Sequence, residues 1–390
     1  MKHFRFSILF TIICLAISAY WGFTHGPQAG LMTMFKALAI TAILAVMEVS
    51  LSFDNAVVNA SVLKHWNHFW RTLFLTVGIV IAVFGMRLIF PLLIVGVTAD
   101  MGMIEVAKLA LNDPKTYSEK LMAHHAEIAA FGGMFLLLVF LNFLFDDEKD
   151  EHWFHWLESK LADLGNIQAI SVFISLCALL VMANFVPESS RLVVTMAGIW
   201  GIVVYVGVQV IGHLLEGGSH DDEQEATEQT TSNNGTPVTG TIIKGGIGGF
   251  LYLEVLDASF SFDGVIGAFA ITSDVVIIML GLAIGAIFVR SMTVYLVEKG
   301  TLDAYVYLEH GAHYAIGALA FIMLASGTGL HVPEVVTGLI GVAFIVWAVI
   351  SSISYSKKQS LETTTDKKKK KWLLIYQKAV TSTCLKQRLQ

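Results

Sequence analysis

The feature that most limits what this chain can become is a recurring apolar run of roughly 20 residues, the length a helix needs to cross a bilayer. Such runs occupy Phe4–Phe23, Ala37–Leu63, Leu73–Val95, Glu127–Phe145, Ala169–Val186, Leu192–Leu215, Ile242–Thr272, Val275–Val297, Ala312–Leu324 and Val335–Ile353. Lipid offers the backbone no hydrogen-bond partner, so each run must close its own bonds as a helix. The expectation is an all-α polytopic membrane protein with about ten transmembrane helices. Composition agrees: only 14% of the 390 residues are charged, against about 25% in soluble domains. The first run is expected to stay as an uncleaved helix, because SAYWG is a poor small-residue cleavage site.

Charge is segregated instead of spread. Acids crowd Asp146–Asp163 and Glu216–Gly240, and lysines crowd Lys367–Lys371. No basic face suits a nucleic acid. Cys14, Cys177 and Cys384 lie far apart and give neither a CxxC pair nor a disulfide framework. The 216–240 stretch reads as a disordered acidic loop. The tail, 356–390, reads as a cytoplasmic lysine-rich segment touching anionic lipid.

Two runs carry carboxylates at membrane depth, where an Asp costs roughly 3 kcal/mol at a helix centre. Met47–Ser61 reads MEVSLSFDNAVVNAS, and Leu253–Thr272 reads LEVLDASFSFDGVIGAFAIT. Ser52-Phe53-Asp54-Asn55 matches Ser261-Phe262-Asp263-Gly264, and Glu48 falls opposite Asp257. The likeness extends outward: Gly78 pairs with Gly281, Arg87 with Arg290, and His125 with His310. Two halves follow, 1–187 and 188–355, each with five spans. An odd number of spans inverts the second half relative to the first, the inverted repeat of many secondary transporters. Lys2, Arg5, Lys64, Arg71 and the tail then lie on one side, so both termini are expected to be cytoplasmic. The loop at 99–122, with Lys108, Lys115 and Lys120, disagrees.

On an unbroken helix Glu48, Ser52, Asn55 and Asn59 share one stripe, with Asp54 beside it. Glu254, Asp257 and Ser261 form the equivalent stripe, with Asp263 beside it. An unwinding near Ser-Phe-Asp would bring Asp54 and Asp263 onto the main ridge. These donors are all oxygen, which suits Mg²⁺, Ca²⁺ or Mn²⁺ better than Zn²⁺ or Cu. The site expected is Glu48, Asp54, Asn55, Asp257 and Asp263, supported by Ser52, Glu254 and Ser261. The competing reading pairs the acids with Arg87 and Arg290 as structural ion pairs. The arginines themselves read either as a charge latch over the site or as side chains snorkelling to the interface. His125 and His310 read as a proton relay, or as membrane-edge histidines solvated by headgroups.

Glu48–Val58 (EVSLSFDNAVV) and Leu256–Thr272 (LDASFSFDGVIGAFAIT) resemble the motifs of the TerC family, within the LysE-type exporter group. The resemblance covers roughly 45–145 and 245–350. It implies an integral membrane protein of a tellurium-resistance or Mn²⁺/Ca²⁺-exporting type, with motif acids at Glu48, Asp54, Asp257 and Asp263. Gly264, the extra spans and the acidic loop depart from the better-known branch. The function expected is proton-coupled export of a divalent cation, Mn²⁺ favoured and Ca²⁺ next, in a bacterial inner (cell) membrane. The cation is substrate, and no resident cofactor or enzymatic activity is expected. The bilayer and the cation are the partners, and a homo-oligomer is compatible. A membrane scaffold or insertion factor is the alternative. An intramembrane metalloenzyme needs more ordered histidines than these.

Overall fold

The computed structural model describes residues 4–25, 30–146, 153, 154, 156, 158, 160, 169–216, 246–300, 305–330, 332, 333 and 336–357. The sequence-level readings of 217–240, of the tail from 358 and of most of 147–168 lie outside these residues. Every regular element among the described residues is helical. They are α1 (Arg5–Thr24), α2 (Leu31–Leu51), α3 (Phe53–Leu63), α4 (His68–Val97), α5 (Met103–Asn112) and α6 (Pro114–Met122). Then come α7 (His125–Leu144), α8 (Ile170–Phe185), α9 (Glu188–Glu216), α10 (Ile247–Ile271), α11 (Val275–Lys299), α12 (Leu308–Ser326) and α13 (Val336–Lys357).

Eight of them, α1, α2, α4, α7, α9, α11, α12 and α13, are long and apolar enough to cross a membrane. The α8 helix is apolar but shorter, at 16 residues. The α10 helix has 25 residues and carries three carboxylates, Glu254, Asp257 and Asp263. The sequence reading expected about ten spans, and those two helices account for the difference.

The helices pack as lipid-embedded helices do, with small residues facing protein and large apolar residues facing out. On α1 the buried positions are Ser7, Cys14, Ser18 and Gly22, while Phe6, Leu9, Ile12, Ile13 and Tyr20 are exposed. Ser18 bonds Thr41 of α2 at 2.7 Å, and Ser7 bonds Ser291 of α11 at 2.6 Å. Gly22 lets α1 approach the α2 backbone, since a Cβ there would stand 2.6 Å from that of Ala37. These helices form the wall of an integral membrane protein.

Cross-contacts give helix directions. Gly281 and Gly285 of α11 lie against Leu44 and Glu48 of α2, so these two run parallel. Phe250 and Glu254 of α10 lie against Phe74 and Gly78 of α4, a second parallel pair. The α7 and α12 helices are antiparallel, with Gly132 against Met323 and Phe140 against Gly317. The halves 1–187 and 188–355 therefore interleave; they are not two separately packed bodies.

Two local features depart from the sequence reading. The 99–122 connection, read from sequence as a loop, holds two helices. Asp113, with φ −137° and ψ 71°, caps α6 through Thr116, and Pro114 occupies the first turn where it forfeits no bond. Val106, Ala110, Tyr117 and Leu121 bury the inner faces of this pair. The second is α4, which contains π-helical turns at Phe74–Gly78 and Ile81–Ile89. Such turns recur at functional sites.

A candidate cation site where the motif helices cross

The apolar run Ala37–Leu63 is broken at Ser52, whose φ of −100° and ψ of 17° lie outside helical values. The break falls between Glu48 and Asp54, at the Ser-Phe-Asp stretch where an unwinding would turn Asp54 toward the Glu48 ridge. It places Asp54 in the first turn of α3, where a carboxylate meets the positive end of the helix dipole. Asp54 Oδ1 accepts the Asn55 amide at 2.9 Å.

The α2–α3 and α10 segments cross antiparallel. Glu48 lies against Gly264, and the Asn55 side-chain amide donates to Asp257 Oδ1. A Cβ on Gly264 would stand 2.6 Å from Glu48 Oε2, so glycine here makes room for the longer acid. Gly285 serves the Glu48 stem in the same way, and Gly78 serves the Glu254 carboxylate.

Glu48 is 1% exposed, so its charge requires a partner. Arg87 Nη2 donates to Glu48 Oε1, and Ser52 Oγ donates to the same oxygen at 3.1 Å. Arg87 Nη1 also donates to the Ala82 carbonyl at 2.9 Å, inside the π-helical segment. The arginine therefore does not snorkel to the interface. Arg290 is half-buried and makes no ion pair among the described residues.

Two cavities flank this pair. The larger, about 40 Å³, is lined by Asn55, Asn59, Gly78, Arg87, Glu254, Asp257, Arg290 and Thr293, among others. The smaller, about 20 Å³, is lined by Glu48, Asp54, Gly264, Thr337, Gly338 and Gly341, among others. Each exceeds the roughly 10–15 Å³ that a water needs. Ser52 lines both. The larger is lined by α3 and the earlier parts of α4 and α10. The smaller is lined by the later part of α10 and the early part of α13. The Glu48–Arg87 pair stands between them.

Of the expected site residues, Glu48, Ser52, Asp54, Asn55, Glu254, Asp257, Arg87 and Arg290 line these two cavities. Ser261 is buried but belongs to neither lining. Asp263 lies in α10, and its side chain is outside the described residues. Several buried polar atoms lack hydrogen-bond partners among the described residues: both oxygens of Glu254, Asp257 Oδ2, Asn55 Oδ1, Asn59 Oδ1 and the Nε atoms of both arginines. No three His, Cys, Asp or Glu side chains converge on one metal-sized position among the described residues. The acids are divided between two chambers.

The structure does not bring His125 and His310 together. They begin α7 and α12, which are antiparallel, and so stand at opposite ends of the pair. His310 lies 3.5 Å from Glu158, a fully buried carboxylate that also accepts the Tyr314 hydroxyl at 3.0 Å. Phe143 stacks on His313 at 3.9 Å. Sequence reasoning missed Glu158, which sits in the acid-rich stretch Asp146–Asp163. It also missed Thr337 and Gly341, which belong to a span with no acidic motif.

No match was found among curated proteins or among solved structures. Residues 53–359 match the family described as protein of unknown function (DUF475), a stretch that takes in α3 through α13 and all of the cavity linings except Glu48, Leu51 and Ser52. The chain belongs to the DUF475 family.

Proposed function

We propose that this protein is a secondary transporter that exports a divalent metal cation, Mn²⁺ first and Ca²⁺ next, in exchange for protons. The observation that carries the reading is the charge balance around the two cavities. Glu48, Asp54, Glu254 and Asp257 line them against only Arg87 and Arg290. Two negative charges are left over among the described side chains, and a low-dielectric interior does not hold them uncompensated. One divalent cation or two protons restores neutrality, which is the exchange an antiporter performs.

The helix directions support an inverted repeat of five spans per half, with α2–α3 counted as one broken span and α8 and α10 included. Parallel pairing of α2 with α11 and of α4 with α10 is the arrangement a two-fold axis in the membrane plane generates. The placement of His125 and His310 at opposite ends fits the same relation. Broken spans that carry the coupling residues are a transporter feature. The resemblance of both motifs to TerC-type exporters points the same way, and the proposed location is a bacterial inner membrane with cytoplasmic termini. In this reading the Glu48–Arg87 pair is the latch that closes the path when the cation is elsewhere.

The test is metal content and metal tolerance in cells with and without the protein. Expression is expected to lower cellular Mn²⁺ and raise tolerance, and Asp54→Asn or Asp263→Asn to abolish both effects. Unchanged export in those variants removes the site assignment.

A further inference from the structure

We infer that the cation's seat is the smaller cavity alone, built by Glu48, Asp54 and a residue of the last span, Thr337. This deepens the transporter reading and rests on it. The sequence suggests that both motif copies share one ligand set; the geometry separates them. Glu48 turns Oε1 toward Arg87 and leaves Oε2 against Gly264, on the smaller cavity. Asp54 uses Oδ1 for the Asn55 amide, while Oδ2 faces Gly341, where a Cβ would stand 3.3 Å away.

The independent observation is Thr337. Its side chain is 8% exposed and lines the cavity, and its hydroxyl has no hydrogen-bond partner among the described residues. A buried hydroxyl ordinarily finds a partner. Here it shares one cavity wall with Glu48 and Asp54, whose Oε2 and Oδ2 lie against Gly264 and Gly341. Two carboxylates and a hydroxyl are the hard oxygen donors a divalent cation such as Mn²⁺ takes.

The larger cavity has a different charge. It holds Glu254 and Asp257 with Arg87 and Arg290, two acids against two guanidiniums. A cation that claims Glu48 releases Arg87, and Asp257 lies on the same cavity wall to receive it. Glu254 and Asp257 then act as counter-ions to the arginines and not as metal ligands.

The matched test compares two Thr→Val substitutions, one in each cavity, by titrating purified full-length protein with Mn²⁺ alone and reading free Mn²⁺ by electron paramagnetic resonance. Thr293 in the larger cavity is buried, but its hydroxyl is already bonded to the Val289 carbonyl at 3.0 Å. Thr337→Val is expected to raise the Kd about tenfold, the size of one lost ligand interaction, and Thr293→Val to leave it unchanged. Thr337→Ser keeps the hydroxyl and is expected to restore wild-type affinity, which separates a ligand role from misfolding. Equal affinity in Thr337→Val and wild type overturns the seat, as does a loss with Thr293→Val or a loss that Thr337→Ser fails to rescue. If the wild type binds Mn²⁺ but moves none across a membrane, the seat stands and the transporter reading falls. If the wild type binds no Mn²⁺, both fall.

Discussion

The surroundings of Glu48 and of Asp257 derive from nearly the same residues and differ in shape. On the Glu48 side the span breaks at Ser52, the neighbouring α4 holds π-helical turns, and Arg87 is bound. On the Asp257 side α10 runs unbroken from Ile247 to Ile271, α11 is a regular helix, and Arg290 has no ion pair among the described residues. The contacts across the crossing are complementary. The longer acid, Glu48, faces Gly264, and the shorter acid, Asp257, faces the longer partner Asn55. Reach across the crossing is thus similar in the two copies, although neither residue of the pair is the same. Gly264, a departure from the motif as sequence, is a steric counterpart of Glu48 in the structure.

The largest expected effect comes from the arginines, which the repeat makes equivalent and the structure does not. Arg87→Gln leaves Glu48 buried without its charge partner and is expected to cost about 3–5 kcal/mol. Thermal unfolding in detergent reads this, and the Glu48→Gln/Arg87→Gln double variant is expected to recover most of it. Arg290→Gln is expected to cost about 1 kcal/mol or less, since Arg290 holds no ion pair among the described residues. Equal losses from the two arginines break the comparison.

A smaller effect follows from making the two copies alike. Gly264→Asn drives a side chain into Glu48 and is expected to cost about 1–3 kcal/mol by overpacking. Asn55→Gly removes the donor to Asp257 and is expected to cost about 1–3 kcal/mol, because a part-buried carboxylate loses its hydrogen bond. If both changes are neutral in the same unfolding assay, the steric exchange is incidental. The smallest effect tests the wall outside the repeat comparison. Ser7→Ala removes the hydroxyl that meets both Ser291 and the Ile287 carbonyl of α11 and is expected to cost roughly 0.6 kcal/mol.

The path from sequence to site succeeded where a property belongs to a segment and failed where it belongs to a contact. Apolar length located the spans, and charge inside those spans located Glu48, Asp54, Asp257 and both arginines. The offset of Asp54 from the Glu48 stripe raised the question that the break at Ser52 answers. Periodicity gives a residue's position around its own helix, but not which neighbour it meets. Thr337 therefore carried no signal: it becomes relevant only because α13 lies over Asp54, nearly three hundred residues away in sequence. The π-helical turns left no trace in an apolar run such as TVGIVIAVFGMRL. Glu158 looked like one more loop acid, and its burial depends on Tyr314 and His310 in a distant span.

The most direct measurement of the central claim is flux of divalent cations in proteoliposomes containing the wild-type protein, with a pH gradient imposed and a panel of ions compared. Saturable Mn²⁺ movement that responds to the gradient is expected, falling to the protein-free rate in Glu48→Gln and Asp54→Asn. Movement at the wild-type rate in both variants, or none with any divalent ion in the wild type, contradicts it.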